Sequence, residues 1–258
     1  MAPPRIYLTG RVSIEYDGNF VDEHVFPGRQ GRLAFVFLAI DRHRPISRDE
    51  LVSAIWPNQP PNEVEIALSA ILSKLRTSLR KAGLTDDQAG IEVKLGSVRL
   101  RLPPDTWIDI EAAANAIDEA DGAMRSGNQS LAWSLSNVVV SIARRPFLAD
   151  EEAPWIENRR SRLRTTLTRG LQCLSAISVN LGQSSLAVQY ANEIVDLEPF
   201  QETAYQQLMR LHVRMGNSAE ALRVFNRCRE LLKEELGASP SAETETLFLK
   251  ILRGERSL

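Results

Sequence analysis

Residues 62–82 read NEVEIALSAILSKLRTSLRKA, a pattern with the period of an amphipathic α-helix. One stripe of this helix is apolar and comprises Val64, Leu68, Leu72, Leu75 and Leu79, with Ile71 at its margin. The opposite face carries small hydroxyl groups and long side chains: Glu65, Ser69, Ser73, Arg76, Thr77 and Arg80, flanked by Lys74 and Lys81. The apolar stripe is expected to face a core. The polar face is suited to a DNA major groove, although a solvated helix surface has the same composition.

Two further helices and a small sheet are predicted before residue 62. The short β-rich runs 5–8 and 12–16 precede the turn signal Asp17-Gly18-Asn19, which indicates an antiparallel sheet. Residues 28–40 have helical spacing, with Leu33, Phe37 and Ile40 on one face. Ser47 followed by Glu50 has the spacing of a capping box, so a second helix is predicted from about residue 48 to 56.

Residues 91–95 and 98–102 alternate in side-chain character around Gly96-Ser97, which predicts a β-hairpin. Alternation sends Lys94, Arg99 and Arg101 to one face and Val93, Val98 and Leu100 to the other. The apolar face is expected to pack on the helices and the basic face to meet phosphate or the minor groove. Three helices followed by a basic hairpin and preceded by a small sheet resemble the winged-helix output domains of two-component response regulators.

Leu102-Pro103-Pro104-Asp105 interrupts both the strand and the helix patterns, because proline fixes φ and removes a backbone donor. We therefore place a domain boundary there. Residues 1–104 are predicted to form a mixed α+β winged-helix domain, and residues 105–258 an all-α domain.

The second domain contains an internal repeat. Similar residues recur 34 positions apart: Gly182 and Gly216, Ala187 and Ala221, Tyr190 and Val224, Asn192 and Asn226, and Leu197 and Leu231. A fainter copy starts at Gly127. This is the tetratricopeptide period, which predicts helix pairs stacked into a curved array with a groove for a partner. We interpret the repeated asparagines as packing or capping residues rather than ligand contacts.

The composition is that of an ordinary globular protein, with 43% apolar and 25% charged residues and a net charge of −2. The total hides a mild asymmetry: residues 1–104 contain 14 Lys and Arg against 12 Asp and Glu, and the rest contains 17 against 21. The sequence shows no membrane-spanning run or signal peptide, and Cys173 and Cys228 are interpreted as reduced core residues. A cytoplasmic location without membrane association is therefore expected.

Catalytic, cofactor and metal motifs are absent from the sequence. His24, His43 and His212 are dispersed, and neither a G-x-S-x-G elbow nor a Gly-rich phosphate cradle occurs. We therefore predict that the chain is not an enzyme and needs no cofactor.

Several motifs resemble, in the same order, those of the Streptomyces antibiotic regulatory protein family. In the first part they are Pro27-Gly28-Arg29-Gln30, the run from Pro45 to Val52 with Trp56-Pro57, Pro60-Pro61, and Leu72 to Leu79. In the second part, similar to the bacterial transcriptional activator domain of that family, they are Arg144 to Asp150, Pro199 to Glu202, and Ala219 to Leu222 continuing through Glu234 to Pro240. Gly96-Ser97-Val98-Arg99 departs from the family's Gly-Gly-Tyr-like wing turn. The resemblance covers nearly the whole chain and fits the short, stand-alone type.

The resemblance implies a sequence-specific transcriptional activator located with the bacterial nucleoid. Such a protein binds direct repeats in double-stranded promoter DNA, self-associates there, contacts RNA polymerase holoenzyme and regulates antibiotic biosynthesis genes. The expected DNA-binding residues are Ser69, Ser73, Lys74, Arg76, Thr77, Arg80, Lys94, Arg99 and Arg101, with Lys74 and Arg76 as the main polar contacts. The alternative hypothesis is a helical-repeat interaction or ligand-sensing protein whose winged helix does not bind DNA.

Overall fold

The computed structural model describes residues 3–85 and 87–255. Their contacts define two compact units, Met1–Ala113 with Ile142–Leu163, and Ala114–Ser141 with Arg164–Leu258. Residues 142–163 therefore group with the N-terminal part of the chain. The boundary that we predict after Pro104 is a statement about which part of the chain folds on its own. The division by contacts does not test it, so it stays a prediction.

The described residues of the first unit include two small sheets, three complete α-helices and parts of three longer helices that continue into the second unit. The strands and complete α-helices of this unit are β1 (Arg5–Tyr7), β2 (Ser13–Tyr16), β3 (Asn19–Val21), α1 (Gly28–Ile40), β4 (Ile46–Ser47), α2 (Arg48–Ile55), α3 (Val64–Lys81), β5 (Gly90–Lys94), β6 (Ser97–Arg101) and β7 (Trp107–Ile108). One sheet has the order β3-β2-β1-β7, with β7 parallel to β1, and the other has the order β4-β6-β5. The three helices with the β5–β6 hairpin make a winged helix, and we call this hairpin the wing.

Helices α1, α2 and α3 surround the core of this unit. The predicted apolar stripe of α3 is buried at Leu68, Leu72, Leu75 and Leu79, together with Ile71, while Val64 is half-buried. The Ser47 hydroxyl accepts a hydrogen bond from the Glu50 amide at 3.1 Å, so the predicted cap begins α2. The helix face opposite the core is thereby held at the surface by apolar packing.

The turn of the wing is shifted by one residue from the prediction. Lys94 pairs with Ser97, so Leu95 and Gly96 are the two turn residues, with φ of 49° and 76°. Two-residue hairpin turns with positive φ match the twist of the flanking strands. This register also places Val93 opposite Val98, whereas a turn at Gly96-Ser97 would not.

Residues beyond Pro104 contribute β7 to the first sheet, and Asp109, which follows β7 directly, binds the chain after β1. Asp109 is fully buried, and its carboxylate accepts hydrogen bonds from the amides of Leu8 at 3.0 Å, Thr9 at 2.9 Å and Ile110 at 2.8 Å, and from the Thr9 hydroxyl at 2.7 Å. Burial raises the pKa of Asp109, and the hydrogen bonds oppose that shift. The chain after β1 is therefore fixed by a residue 100 positions away.

Residues 142–163 pack on the same unit. The Gly10 amide donates to the Pro146 carbonyl at 2.7 Å, and the Trp155 ring meets Phe37 edge-on at 5.1 Å. Glu151 is buried and forms ion pairs with Arg29 at 2.6 Å and Arg32 at 2.8 Å. A buried carboxylate is tolerated because two guanidiniums satisfy it.

The described residues of the second unit form α-helices joined by short turns and loops. The unit contains the end of α4 (Asp109–Arg125), most of α5 (Gln129–Ala143), α6 (Pro154–Asn180) from Arg164 onward, α7 (Ser184–Leu197), α8 (Glu202–Arg214), α9 (Ser218–Leu236) and α10 (Ala242–Leu252). Gly127, Gly182 and Gly216 have φ of 77°, 73° and 77°, the left-handed conformation that ends a helix. The predicted repeat is therefore a repeated helix-turn-helix.

Asn192 of the repeat and Asn137 of the fainter copy, ten positions after Gly182 and Gly127, make the same kind of hydrogen bond. Asn137 and Asn192 donate from Nδ2 to the carbonyls four residues earlier, Trp133 at 2.8 Å and Val188 at 2.9 Å. These hydrogen bonds lie within single helices, with Asn137 exposed and Asn192 half-buried, and the packing or capping role of the repeated asparagines stays a prediction.

Candidate nucleic-acid interface

The polar face of α3 is exposed along the helix. Ser69, Ser73, Lys74, Thr77 and Arg80 all lie at the surface. Six of the nine predicted DNA-binding residues lie on α3, and these five of them share its exposed face. Hydroxyl and cationic groups in this arrangement can reach base edges or phosphates.

Two apolar side chains extend this face and were not predicted. Ile66 is 66% exposed, and Ala70, one turn later, is also exposed. With Ser73 and Thr77 they follow helical spacing on one side of α3. Apolar groups at such positions can contact the thymine methyl group in a major groove. The sequence does indicate that Ile66 is exposed, because Ile66 falls outside the apolar stripe defined by Leu68, Leu72 and Leu75.

Arg76 is held differently from the other residues of the set. Its side chain is half-buried, and Nε and Nη2 donate to the Ile91 carbonyl at 3.2 and 2.9 Å. The guanidinium therefore connects α3 to β5, the first strand of the wing. It has a positioning function in this structure whether or not it also reaches DNA.

The wing has a buried apolar face and an exposed polar face as predicted, but two residues depart from this division. Val98 and Leu100 are buried, but Val93 is 41% exposed because it lies near the free end of the hairpin. On the other face, Glu92 lies directly opposite Arg99. The outward face thus combines the three predicted cations with one carboxylate.

Each predicted cation of the wing has a local partner. Arg99 donates from Nε to the Arg42 carbonyl at 3.0 Å, and Lys94 pairs with Glu92 at 3.4 Å. Arg101 is tied to both Glu92, at 3.3 Å, and the Asp87 carbonyl. Arg99 and Lys94 are exposed, whereas Arg101 is half-buried.

Arg48 is a candidate residue that sequence reasoning missed. It is the first residue of α2, and its amide donates to the Gly96 carbonyl of the wing turn at 3.2 Å. Its Nη2 lies 2.5 Å from the Glu65 carboxylate and 3.4 Å from the Ser69 hydroxyl, while its buried Nε has no partner. The sequence does contain a clue to this contact, because Arg48 is a cation in the first turn of a predicted helix. The helix dipole disfavours positive charge there unless an anion is near.

Carboxylates also lie in this part of the unit. Glu63 and Glu65 are exposed at the N-terminal end of α3. A hydrogen bond from Arg44, at 2.9 Å from Nη1, holds the pKa of Glu50 below its usual value, so Glu50 in the first turn of α2 stays ionised at neutral pH. The phosphate attraction of this surface is consequently modest.

Residues 3–85 and 87–255 contain neither a cluster of metal-ligand side chains nor a helix that could span a membrane. This part of the chain has no group of three or more His, Cys, Asp or Glu residues placed to hold a metal ion. It also has no helix long and apolar enough to cross a membrane.

Comparison with known proteins matches residues 108–252 to the family described as Bacterial transcriptional activator domain. Regulatory protein AfsR of Streptomyces griseus is 27% identical over 229 residues, which cover 89% of this chain but 23% of AfsR. Regulatory protein DnrI of Streptomyces peucetius is 25% identical over 232 residues, which cover 88% of this chain and 85% of DnrI. The chain thus spans a small part of AfsR and most of DnrI.

A solved structure shows the fold. Mycobacterium tuberculosis EmbR in complex with a low-affinity phosphopeptide superposes with a TM-score of 0.82 at 21% identity, over 97% of this chain and 65% of that chain. It confirms the predicted fold class, a winged helix followed by a helical-repeat domain. AfsR, DnrI and EmbR are named as regulatory proteins and not as enzymes.

Proposed function

Because the chain belongs to the bacterial transcriptional activator domain family, we propose that it activates transcription by binding promoter DNA through α3 and the wing. The family match also confirms the resemblance to the Streptomyces antibiotic regulatory proteins. The observation that carries the DNA-binding proposal is the exposed polar face of α3, on the side of the helix opposite its buried stripe.

Helix α3 is the element that enters the major groove in this proposal. An α-helix with its side chains is about 10–12 Å across, close to the width of that groove, about 12 Å. Lys74 is the main polar contact, Ser69, Ser73 and Thr77 lie near bases or phosphates, and Arg80 meets the backbone. Arg76, whose guanidinium is engaged by Ile91, contributes by holding the wing in place.

The wing supplies the second contact. Lys94 and Arg99 are exposed on its outward face and would meet phosphates beside the groove. Arg101 forms an ion pair with Glu92 on the same face and so offsets the negative charge of that carboxylate. Leu95, at the tip, is fully exposed and would lie against the sugar edge of the minor groove.

Binding by more than one protomer fits the modest charge of this surface. Glu63, Glu65 and Glu92 reduce the attraction of one wing and helix for phosphate. Two protomers on direct repeats would add their contacts, with a heterologous protein contact between them. Contact with RNA polymerase holoenzyme, a nucleoid location and control of antibiotic biosynthesis genes are the remaining parts of the proposal, and they rest on the family and on the similarity to AfsR and DnrI.

One observation favours the alternative function. Ile66 and Leu95 are large apolar side chains at the surface of the first unit, 66% and 106% exposed. Exposed apolar groups also serve protein docking. A winged helix that binds protein would have no need for Lys74 or Arg99, which separates the two hypotheses.

The test is selection of double-stranded DNA from a randomised pool by the full chain, followed by affinity measurements at two salt concentrations. We expect enrichment of one motif, salt-dependent binding, and a weaker complex for Lys74→Ala. Lys233→Ala is the matched control, because Lys233 is an exposed lysine of α9. Recovery of no motif, or equal affinity for the two variants, would contradict the proposal.

Polymerase contact has a separate test. Transcription with purified holoenzyme on the selected motif, in one or two copies, measures activation directly. Activation that rises with the second copy supports binding to direct repeats. Strong DNA binding without activation would leave a DNA-binding protein that is not an activator by itself.

A further inference from the structure

Three cavities lie along the second unit and form what we call the inner groove. Its lining residues lie within Arg164–Asn180 of α6, Leu197–Gln201 at the end of α7 and the turn after it, Thr203–Arg214 of α8 and Ala242–Lys250 of α10. The volumes of the cavities are about 620, 510 and 330 Å³. Arg210 lines both the second and the third, and Gln172 of the first is one helical turn from Ala176 of the second. The cavities therefore follow one another along the helices.

The inner groove is positively charged. Arg164, Arg210, Arg214 and Lys250 line it, and none of these four forms an ion pair with a described residue. A fifth cation, Arg169, is neutralised by Asp118 and Asp121. Two acids, Glu198 and Glu243, are among the lining residues. The excess of unpaired cations contrasts with the acidic balance of residues 105–258.

Side-chain amides occupy the positions between these cations. Gln172, Asn180 and Gln207 line the groove, and a side-chain amide offers one donor group and one acceptor, as a peptide bond does. Such groups suit hydrogen bonding to an extended main chain.

Thr168 provides an independent observation. It lines the first cavity, is 93% buried, and its hydroxyl has no hydrogen-bond partner. An unsatisfied buried hydroxyl costs stability, because it has lost its hydrogen bonds to water without gaining a replacement. A ligand that enters the cavity and hydrogen-bonds to this hydroxyl would remove that cost.

We propose that the inner groove binds an extended acidic peptide segment presented by a partner protein. From Arg164 to Asn180, α6 advances about 24 Å, at about 1.5 Å per residue. An extended chain of about seven residues, at roughly 3.3 Å each, has the same length. The acidic side chains of the segment pair with the free cations, and its main chain bonds to the amides.

The end of the groove near Phe200 selects for an apolar residue. Phe200 is half-exposed in the first cavity, and the turn that carries it is fixed by a hydrogen bond from the Tyr205 hydroxyl to the Pro199 carbonyl at 3.0 Å. An exposed ring that lines the same cavity as Thr168 is suited to an apolar or aromatic side chain. The preferred segment is therefore acidic, with an apolar residue at one end.

The test uses the full chain and an immobilised array of random eight-residue peptides, with the best binder then labelled with fluorescein for anisotropy measurements. We expect the bound peptides to be enriched in Asp and Glu. The double variant Arg210→Glu with Arg214→Glu should bind the labelled peptide at least tenfold more weakly. Arg223→Glu is the matched control, because Arg223 is an exposed arginine of α9 that lines none of the three cavities. Bound peptides without acidic enrichment, or equal affinity for the double variant and the control, would overturn the proposal.

Thr168→Val separates binding from folding. The substitution keeps the shape of the side chain and deletes the unpartnered hydroxyl, so the unfolding midpoint should be unchanged or raised while the peptide binds several-fold more weakly. An unchanged peptide affinity would remove Thr168 from the site and with it the argument from the buried hydroxyl. DNA affinity measured on the same variants should not change, so failure of this proposal is distinguishable from failure of the DNA-binding proposal.

Discussion

The guanidinium of Arg76 donates two hydrogen bonds to the carbonyl oxygen of Ile91, from Nε at 3.2 Å and from Nη2 at 2.9 Å. One side chain of the proposed recognition helix thereby fixes the strand on which the wing is built. Arg76 and its neighbour Lys74 are both cations of the same helical turn, but they have different surroundings. Lys74 is exposed, and Arg76 is half-buried. The two residues are therefore expected to contribute to DNA binding by different routes.

Arg76→Ala should lower the free energy of unfolding by about 1–3 kcal/mol, because it removes two charge-assisted hydrogen bonds. It should weaken binding to all DNA sequences to a similar extent, because the wing loses its support. Lys74→Ala should leave the unfolding free energy within about 0.5 kcal/mol of the parent. Denaturant unfolding and DNA affinity on matched and mismatched sites measure both effects. If Arg76→Ala relaxes the preference at a single base pair with normal stability, Arg76 contacts a base and its bond to Ile91 is secondary.

The wing gives a prediction about salt dependence. Arg99→Gln should lower DNA affinity and reduce the slope of log affinity against log salt by about one unit for each phosphate that the variant no longer neutralises. Arg101→Gln should have a smaller effect, because Arg101 is already engaged by Glu92 and by the Asp87 carbonyl. The measurement is a salt titration of both variants on the same DNA. Equal slopes for Arg99→Gln and the parent would rule out binding of a phosphate by Arg99.

Truncation tests where the first domain ends. A fragment of residues 1–104 retains the apolar stripe of α3 but lacks β7, the buried Asp109 and the ring contact between Phe37 and Trp155. We expect it to unfold less cooperatively than a fragment of residues 1–163, which keeps all three. Thermal denaturation followed by circular dichroism compares the two. An equally sharp transition at the same temperature would show that the domain is independent at Pro104, as the proline pair predicts.

The sequence predicted the features that depend on local periodicity and missed those that depend on distant pairing. The stripe of α3, the cap at Ser47 and the hairpin were readable because each follows from spacing within a few residues. The contacts of Arg76 with Ile91 and of Arg48 with Glu65 were not readable, since an arginine on a helix face has no spacing signal for its partner. Asp109 is a similar case, because its donors Leu8 and Thr9 lie about 100 positions away.

Cys228 gives a prediction about alkaline pH. Burial raises the pKa of its thiol to about 11, from an ordinary value of 9.0. Folding therefore favours the protonated thiol, and this contribution is fully present below pH 9 and is lost as the pH rises through 11. The loss is roughly 2–3 kcal/mol, at about 1.4 kcal/mol per pKa unit.

Cys228→Ala should accordingly show a flatter decline of stability between pH 9 and 11 than the parent. Denaturant unfolding at a series of pH values measures the difference. Cys173 is also buried, so neither thiol of the native chain should react with a thiol reagent at about pH 8. Rapid labelling of Cys228 in the folded protein would contradict the assigned burial and pKa.

Removal of the negative charge of Glu65 is expected to raise the affinity of the protein for DNA. Its carboxylate lies 2.5 Å from Nη2 of Arg48, at the N-terminal end of the exposed face of α3. In the proposed complex this carboxylate would face the DNA backbone, so it both repels phosphate and neutralises the nearest cation. Glu65→Gln should therefore raise DNA affinity by about three- to tenfold at low salt, and less at high salt, because screening weakens both effects. Arg48→Gln in the same assay should lower the affinity, and the double variant should fall below Glu65→Gln, because the gain depends on a released Arg48. The surface pair itself contributes little to folding, about 1 kcal/mol or less, so stability should be nearly unchanged in Glu65→Gln. A loss of affinity in Glu65→Gln would mean that Glu65 orients Arg48 for contact, and Arg48 would then act through this ion pair rather than in spite of it.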